Sequence, residues 1–479
     1  MLAHDVPTPA VGVDANPLLQ TFDLNIEKVL EHWTVPHAIR EVIANALDEQ
    51  ALTKTQEPEI VKDADGGWHI RDYGRGLRYQ HLTQNENREK LAHSDEVIGK
   101  FGVGLKDALA TFDRHRIKIH IRSCYGDVTI GKVPKHGFAD IRTLHALISE
   151  PSDPNMVGTD VILIGVKDAD VEKAKGFFLQ YAGEQVLDGT PHGSVLRHRG
   201  KSARIYVNGL LVAEEQNFLF SYNVTKLSAS LRRALNRERT NVGRGAYTDR
   251  VKAILLASSA AAVADELAEE LARFEDGQTH DELQWMDVQL HACRVLNGMG
   301  KTVFVTSQQM FSNSKLVDYA RSDGNRVVVV PGALAAKLPG LIDAQGAPVR
   351  DLNVFYQEWD DSFTFSVIDP GDLEPSERTI YDQTKQIMTL LGRRRPKVAN
   401  VLISETMRVD RSGYQFAGLW RPEDRSIVIK RDQLRDLSSY AGTLLHELTH
   451  AATGTDDRTL EFEEALTQRL GIVAATAIG

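Results

Sequence analysis

Two groups of residues have the types and spacings that chemistry requires. Near the C-terminus, His446-Glu447-Leu448-Thr449-His450 sets two histidines four apart in an apolar run. On a helix that spacing aims two imidazoles at one point with Glu447 beside them, a donor set that suits Zn²⁺ with the glutamate as general base. Near the N-terminus, Glu41, Asn45 and Asp48 recur at spacings of four and three, so one helical face between about Val35 and Leu52 carries all three. Their neighbours Ile39, Val42, Ile43, Ala46 and Leu47 are apolar and bury that helix. Polar groups pressed against a core call for a ligand between them.

A zinc site of this kind needs a third protein ligand, and Asp456, Asp457, Glu461, Glu463 and Glu464 are the candidates. Gly454 can end the first helix and Thr455 or Asp457 can cap a second, in which Leu460, Leu466 and Leu470 form the expected buried side at about 100° per residue. Glu463 falls between Leu460 and Leu470 on that side, whereas Glu461 points away and Glu464 lies at the border. The segment resembles the gluzincin metallopeptidases, whose ligand glutamate lies on the helix after H-E-x-x-H. The resemblance implies zinc on His446, His450 and Glu463, with Glu447 catalytic. Asp456 at the metzincin ligand position, and Asp457 in the Gly-Thr-x-Asp manner of aspzincins, are the alternatives; Thr453 stands where metzincins carry glycine. Arg425 to Lys430 reads as a strand beside the helix, where substrate backbone could pair with an edge. Tyr414 and Tyr440 are the candidates for stabilising an oxyanion.

At the other end, Asp72-Tyr73-Gly74-Arg75-Gly76 follows the strand-like Trp68-His69-Ile70-Arg71. The run Gly99-Lys100-Phe101-Gly102-Val103-Gly104-Leu105-Lys106 then opens an apolar helix. A carboxylate at a strand end can accept from an exocyclic amine, and glycines let backbone N–H groups close on phosphate oxygens at a helix N-terminus. In this order the motifs resemble the GHKL nucleotide-binding domain of DNA gyrase B, Hsp90, histidine kinases and MutL, and within it the MORC branch. The resemblance covers about the first third of the chain and implies ATP and Mg²⁺ as cofactors. Position by position, it implies that Glu41 activates water, Asn45 binds magnesium, Asp72 reads adenine, and Gly74 and Gly76 turn beneath the base, with Asp48 on the same ligand face. Gly99, Gly102, Gly104 and Lys106 match the segment that closes over the phosphates, about Gln80 to Ile98 the lid, and Thr159 the last nucleotide-contacting strand. In the relatives a following domain sends a basic residue to the γ-phosphate; Arg237 and Arg239 lie where that residue falls, with Arg244 a third candidate. Arg232 and Arg233 with them could instead form a nucleic-acid patch.

The elements that must position these residues give an α+β multidomain chain. The expectation is a Bergerat-type α/β sandwich ATPase over residues 1–175 and a small α/β transducer domain over 176–255. A helical connector with a small β-α-β-α segment follows over 256–350, and a zincin-like domain over 351–479. Residues 203–212 read as two strands around the Asn208-Gly209 turn.

At 479 residues, 42% hydrophobic and 25% charged, the composition is that of a globular chain of about three domains. A net charge of −10 demotes nucleic acid as a partner without excluding a local basic groove. Cys124 and Cys293 sit in no metal-binding spacing, which fits a reducing cytoplasm; no export signal, membrane anchor or spanning segment is read. The combined expectation is a cytoplasmic, ATP-regulated zinc metallopeptidase acting on a protein or peptide, with one dedicated partner and an ATP-dependent homodimer as further expectations. Fold-level analogy would suit bacterial defence or stress. The alternative is a MORC-like or Hsp90-like clamp that remodels protein or DNA, with a non-catalytic zinc domain.

Overall fold

The computed structural model describes residues 18–25, 32–83, 97–98, 104–235, 242–274, 277, 279–392 and 396–478. The chain is mixed α+β, with several sheets, and divides into two compact units: Met1–Val263 with His280–Val288, and Ala264–Thr279 with Gln289–Gly479. The expected domains 1–175 and 176–255 both fall in the first unit. No helix among the described residues is long and apolar enough to cross a membrane.

In the first unit a seven-stranded sheet comprises β1 (Leu18–Asp23), β2 (Glu59–Lys62), β3 (Trp68–Arg71), β4 (Lys118–Ser123), β5 (Asp127–Lys135), β6 (Phe138–Ser149) and β7 (Thr159–Ile164). Its order is β1-β6-β5-β4-β7-β3-β2, and every neighbouring pair is antiparallel. Alternation builds it: Ile119 and Ile121 of β4 and Val161 and Leu163 of β7 are buried while their neighbours are more exposed or polar. The helix Val35–Thr53 lies in the same core through Ile39, Val42, Ile43 and Ala46, with Gly104–Arg114 adding Ala108, Leu109 and Phe112. Pro36 in its first turn and the Thr34 N–H donated to His37 Nδ1 at 3.2 Å start the long helix, and Lys54 in the left-handed region closes it on the Gln50 carbonyl.

A second sheet follows in the same unit: β8 (Gln185–Thr190), β9 (Gly193–Arg197), β10 (Ala203–Val207), β11 (Leu210–Glu215) and β12 (Ser221–Val224), in the order β11-β10-β12-β9-β8. The strands around the Asn208-Gly209 turn are β10 and β11, with φ of 48° and 80° at the two turn residues. Residues 280–288, expected in a connector, belong here instead. Glu282, fully buried, accepts from Leu219 N at 3.0 Å and Tyr222 Oη at 2.8 Å, and Trp285 packs edge-on to Phe218.

The second unit holds a parallel pair, β13 (Thr302–Val305) and β14 (Arg326–Val329), flanked by helices Ser314–Ser322 and Leu352–Ser362. It also holds a four-stranded sheet of β15 (Val367–Ile368), β16 (Asn400–Ser404), β17 (Gly418–Arg421) and β18 (Ser426–Lys430), ordered β15-β16-β18-β17. The strand expected as the edge, β18, is therefore interior: its run Ile427-Val428-Ile429 is wholly buried, as befits a strand paired on both sides. The shorter β17, antiparallel to β18, is the edge. Helix Leu437–Thr453 packs over this sheet through Tyr440, Leu444, Leu445 and Leu448.

Candidate functional site

In the first unit Asp72 follows β3 directly and is 7% exposed. Its Oδ1 accepts from Gly74 N at 2.9 Å and from Thr159 N at 3.2 Å, while its own N–H reaches the Thr159 carbonyl at 2.9 Å. Burial pushes the carboxyl up to about 6 against those backbone donors, and Glu49 adds a like charge. Gly158 makes the approach possible: its φ is 82°, and a Cβ there would lie 1.9 Å from the Asp72 carbonyl oxygen. Gly76, also at positive φ, sits against Ser123 and the Gly158 carbonyl. Gly74 gives way to Glu49, which grips Arg75 through both its backbone N–H and its guanidinium. That clamp on the turn was not anticipated, because glutamate on a half-exposed face reads as solvated.

Glu41 is 3% exposed and receives Nη2 of the fully buried Arg40 at 2.8 Å. Gly104 abuts it so closely that a Cβ would meet Glu41 Oε2 at 2.3 Å, which puts the N-terminus of helix Gly104–Arg114 against the carboxylate. Asn45, half-buried, lies one turn on, and Lys106 is buried in the first turn of the facing helix. Asp48 is buried and accepts the Ile98 N–H at 2.5 Å. Glu41, Asn45, Asp48, Asp72, Gly74, Gly76, Gly104, Lys106 and Thr159 thus gather around helix Val35–Thr53 and the ends of β3 and β7. Gly99 and Gly102, Arg237 and Arg239, and residues 84–96 of the expected lid lie outside the described residues. Arg244 is engaged elsewhere: it pairs with Glu215 and with Asp281 at 2.7 Å, over the Phe218 ring.

In the second unit helix Leu437–Thr453 starts on Asp436, whose Oδ1 caps Ser439 N at 2.8 Å, and ends at Gly454 with φ 68°. The turn that Gly454 permits carries Asp457 back over the helix end. Ligand atoms of His446, His450 and Asp457 all lie within 4.8 Å of one another, the two Nε2 atoms 3.2 Å apart and each about as close to Asp457 Oδ1. His450 Nδ1 lies 2.8 Å from the Thr455 carbonyl, which fixes the ring as an Nδ1–H donor and leaves Nε2 a lone pair for the cluster. Phe462 stacks on the His450 ring at 4.3 Å and edges onto His446 at 4.8 Å. Burial pushes the His446 imidazole below its ordinary range, which favours the neutral form that ligation requires.

Two imidazole nitrogens and one carboxylate oxygen converging in this way fit a tetrahedral divalent ion with a position left open. Glu447, 5% exposed, stands beside them against β17: Trp420 donates its backbone N–H to the carboxylate, and only a glycine at 418 leaves room for it. Burial raises this carboxyl to about 7.

The third ligand expected from the sequence is corrected. Glu463 is exposed, as are Glu461 and Glu464, and it has no part in the cluster. The assumed leucine stripe has the wrong phase: Leu460 and Leu470 are 70% and 50% exposed, and the buried residue is Phe462, at 4%. One residue of phase turns Glu463 about 100° away from the imidazoles. Tyr440 is likewise unsuited to its expected role, being fully buried and bonded to Thr384; Tyr414 is exposed with Lys315 over its ring.

Residues 169–261, which span the second sheet of the first unit, match the Mycoplasma pneumoniae MPN635 N-terminal domain family. The chain is similar to a protein of Mycoplasma pneumoniae named only as uncharacterized, at 38% identity over 245 residues, which is 50% of this chain and 98% of that protein. It is also similar, at 23% identity over 352 residues, to another uncharacterized protein of the same organism, covering 65% of this chain and 93% of the relative.

Proposed function

Because the chain belongs to the family of the Mycoplasma pneumoniae protein that it covers almost end to end, and that relative is named only as uncharacterized, we propose its function from its own residues: an ATP-regulated zinc metallopeptidase. The observation that carries the reading is the convergence of His446, His450 and Asp457 on one point with Glu447 buried at its side. Zinc held there would supply Lewis-acid charge to polarise a scissile carbonyl and acidify water. The chain does the rest. Glu447 takes a proton from the attacking water and passes it to the leaving amine. The Thr455 carbonyl and the Phe462 ring keep His450 in one tautomer and one orientation. The open edge of β17 offers main-chain groups to an extended peptide beside the glutamate.

At the nucleotide end, Mg²⁺-ATP supplies the transferable phosphoryl group, and Asn45 would hold the metal. Asp72, joined to Thr159, accepts from the adenine amine, while Glu41 draws the proton from water at the γ-phosphate. Arg40, donating from Nε and Nη2 to Oε1, holds that carboxylate in place. The support is the assembly of Glu41, Asp72, Gly104 and Thr159 from four separate stretches around one helix, within the all-antiparallel sheet.

The test is a pair of variants. Glu447→Gln is expected to bind zinc as the wild type does and to lose cleavage of co-purifying proteins, while Glu41→Ala binds ATP and loses turnover. Cleavage that survives Glu447→Gln contradicts the peptidase reading.

A further inference from the structure

The backbone at Val97 and Ile98, immediately ahead of Gly99 in the sequence, is held from two sides. Ile98 donates its N–H to Asp48, on the same helix as Glu41 and Asn45. Val97, 3% exposed, turns its carbonyl the other way, where Nδ2 of Asn208 reaches it at 3.2 Å. Asn208 is not part of the nucleotide-binding domain. It sits in the β10–β11 turn of the second sheet, in the stretch that matches the Mycoplasma family.

That turn is firmly mounted. Asn208 N donates to the Val224 carbonyl at 3.1 Å and Gly209 N to Asn223 Oδ1 at 2.9 Å, which fixes it to β12. Leu179 N donates to the Gly209 carbonyl at 2.8 Å and Leu211 N to the Phe177 carbonyl at 2.8 Å, which fixes it to the segment after helix Asp168–Lys175. Leu210 enters the same apolar core as Ile39 and Ile43 of the ligand helix. A side chain on so rigid a base transmits displacement instead of absorbing it.

Resting on the nucleotide reading above, we propose that Asn208 is a positioning residue for ATP turnover, through which the second sheet fixes the backbone leading into the glycine run opposite Asp48. It touches no part of the adenine pocket formed by Asp72 and Thr159. Removing its amide therefore lowers kcat for ATP and leaves nucleotide affinity unchanged.

The test is Asn208→Gly in the full chain. Glycine suits a residue whose φ is 48°, so the variant loses the amide without straining the turn. The expected result is a fall in kcat of about five- to tenfold, the worth of one hydrogen bond, with KM and the affinity for ADP held within about twofold. Amide hydrogen exchange at Val97 and Ile98 rises in the variant without nucleotide, a change that a role confined to the second sheet would not produce. Asn208→His, which keeps a donor and tolerates this backbone, restores most of the rate. Wild-type turnover in Asn208→Gly overturns the proposal alone, as does an equal loss of kcat and ADP affinity. A wild-type chain that binds no ATP overturns the nucleotide reading and the proposal with it.

Discussion

Asp72 is where stability and function pull in opposite directions, and Asp72→Asn separates them. The carboxyl is 7% exposed and sits at about 6 in the fold, against 3.8 in an ordinary aspartate. At about 1.4 kcal/mol for each pH unit by which a pKa moves, keeping it ionised at neutral pH costs the native state about 3 kcal/mol. The sign follows from the raised value. The group's stabilising contribution is complete below 3.8 and is lost as pH rises through about 6. Asparagine titrates nowhere in this range, and its side-chain oxygen can still accept from Gly74 and Thr159. Urea unfolding followed by tryptophan fluorescence, in which Trp33 and Trp68 report on the first unit, should find the variant more stable by about 3 kcal/mol near pH 8. The advantage should shrink below about 1 kcal/mol near pH 4. Calorimetric titration of the same sample with ATP near pH 8 should find binding abolished, and wild-type binding should weaken by up to about tenfold for each pH unit below about 6. A variant less stable than the wild type near pH 8, or equally advantaged at both pH values, would refute the argument from burial. One that keeps its ATP affinity would refute the adenine role.

The zinc set gives a sharp contrast between two acids close together in the sequence. Asp457→Ala should weaken zinc binding by at least about tenfold in competition with a chromophoric chelator, while Glu463→Gln should leave it unchanged; the reverse ranking would restore the glutamate as ligand. Gly158→Ala forces a Cβ to within 1.9 Å of the Asp72 carbonyl at a φ of 82°. It should abolish ATP binding and lower the first unit's stability by more than about 1 kcal/mol, while zinc content, measured by atomic emission, stays at the wild-type level.

What the sequence made legible was whatever depends on spacing within one element. His446 and His450 are four apart on a real helix, and Glu41, Asn45 and Asp48 share a face, because helical periodicity alone decides both. Asp72 and Thr159 could be paired only by way of the family resemblance, since the β3–β7 neighbourhood that joins them is separated by most of a domain. Glu463 falls outside the cluster because the aromatic Phe462, and not the leucines, defines the buried face: it fills the gap beside the imidazoles and leaves Leu460 and Leu470 in solvent. The Gly454 turn then brings in Asp457, the Gly-Thr-x-Asp alternative, by a tertiary effect that helical phase alone does not select. The edge strand was misplaced for a similar reason. An unbroken apolar run such as Ile427-Val428-Ile429 marks an interior strand, and the true edge is the shorter and more polar β17. Residues 280–288 fall in the first unit and not in the expected connector because the buried Glu282 that anchors them finds its donors some sixty residues earlier, at Leu219, Phe220 and Tyr222.

The central claim is that one chain joins a nucleotide site to a metal-held hydrolytic centre and that the first governs the second. It is tested most directly by the rate at which zinc-loaded full-length protein cleaves its co-purifying proteins with and without Mg²⁺-ATP, beside the Glu41→Ala and Glu447→Gln variants. The account predicts cleavage whose rate changes with ATP, loses that response in Glu41→Ala and vanishes in Glu447→Gln. Cleavage at the same rate with and without ATP, or undiminished in Glu447→Gln, would contradict it.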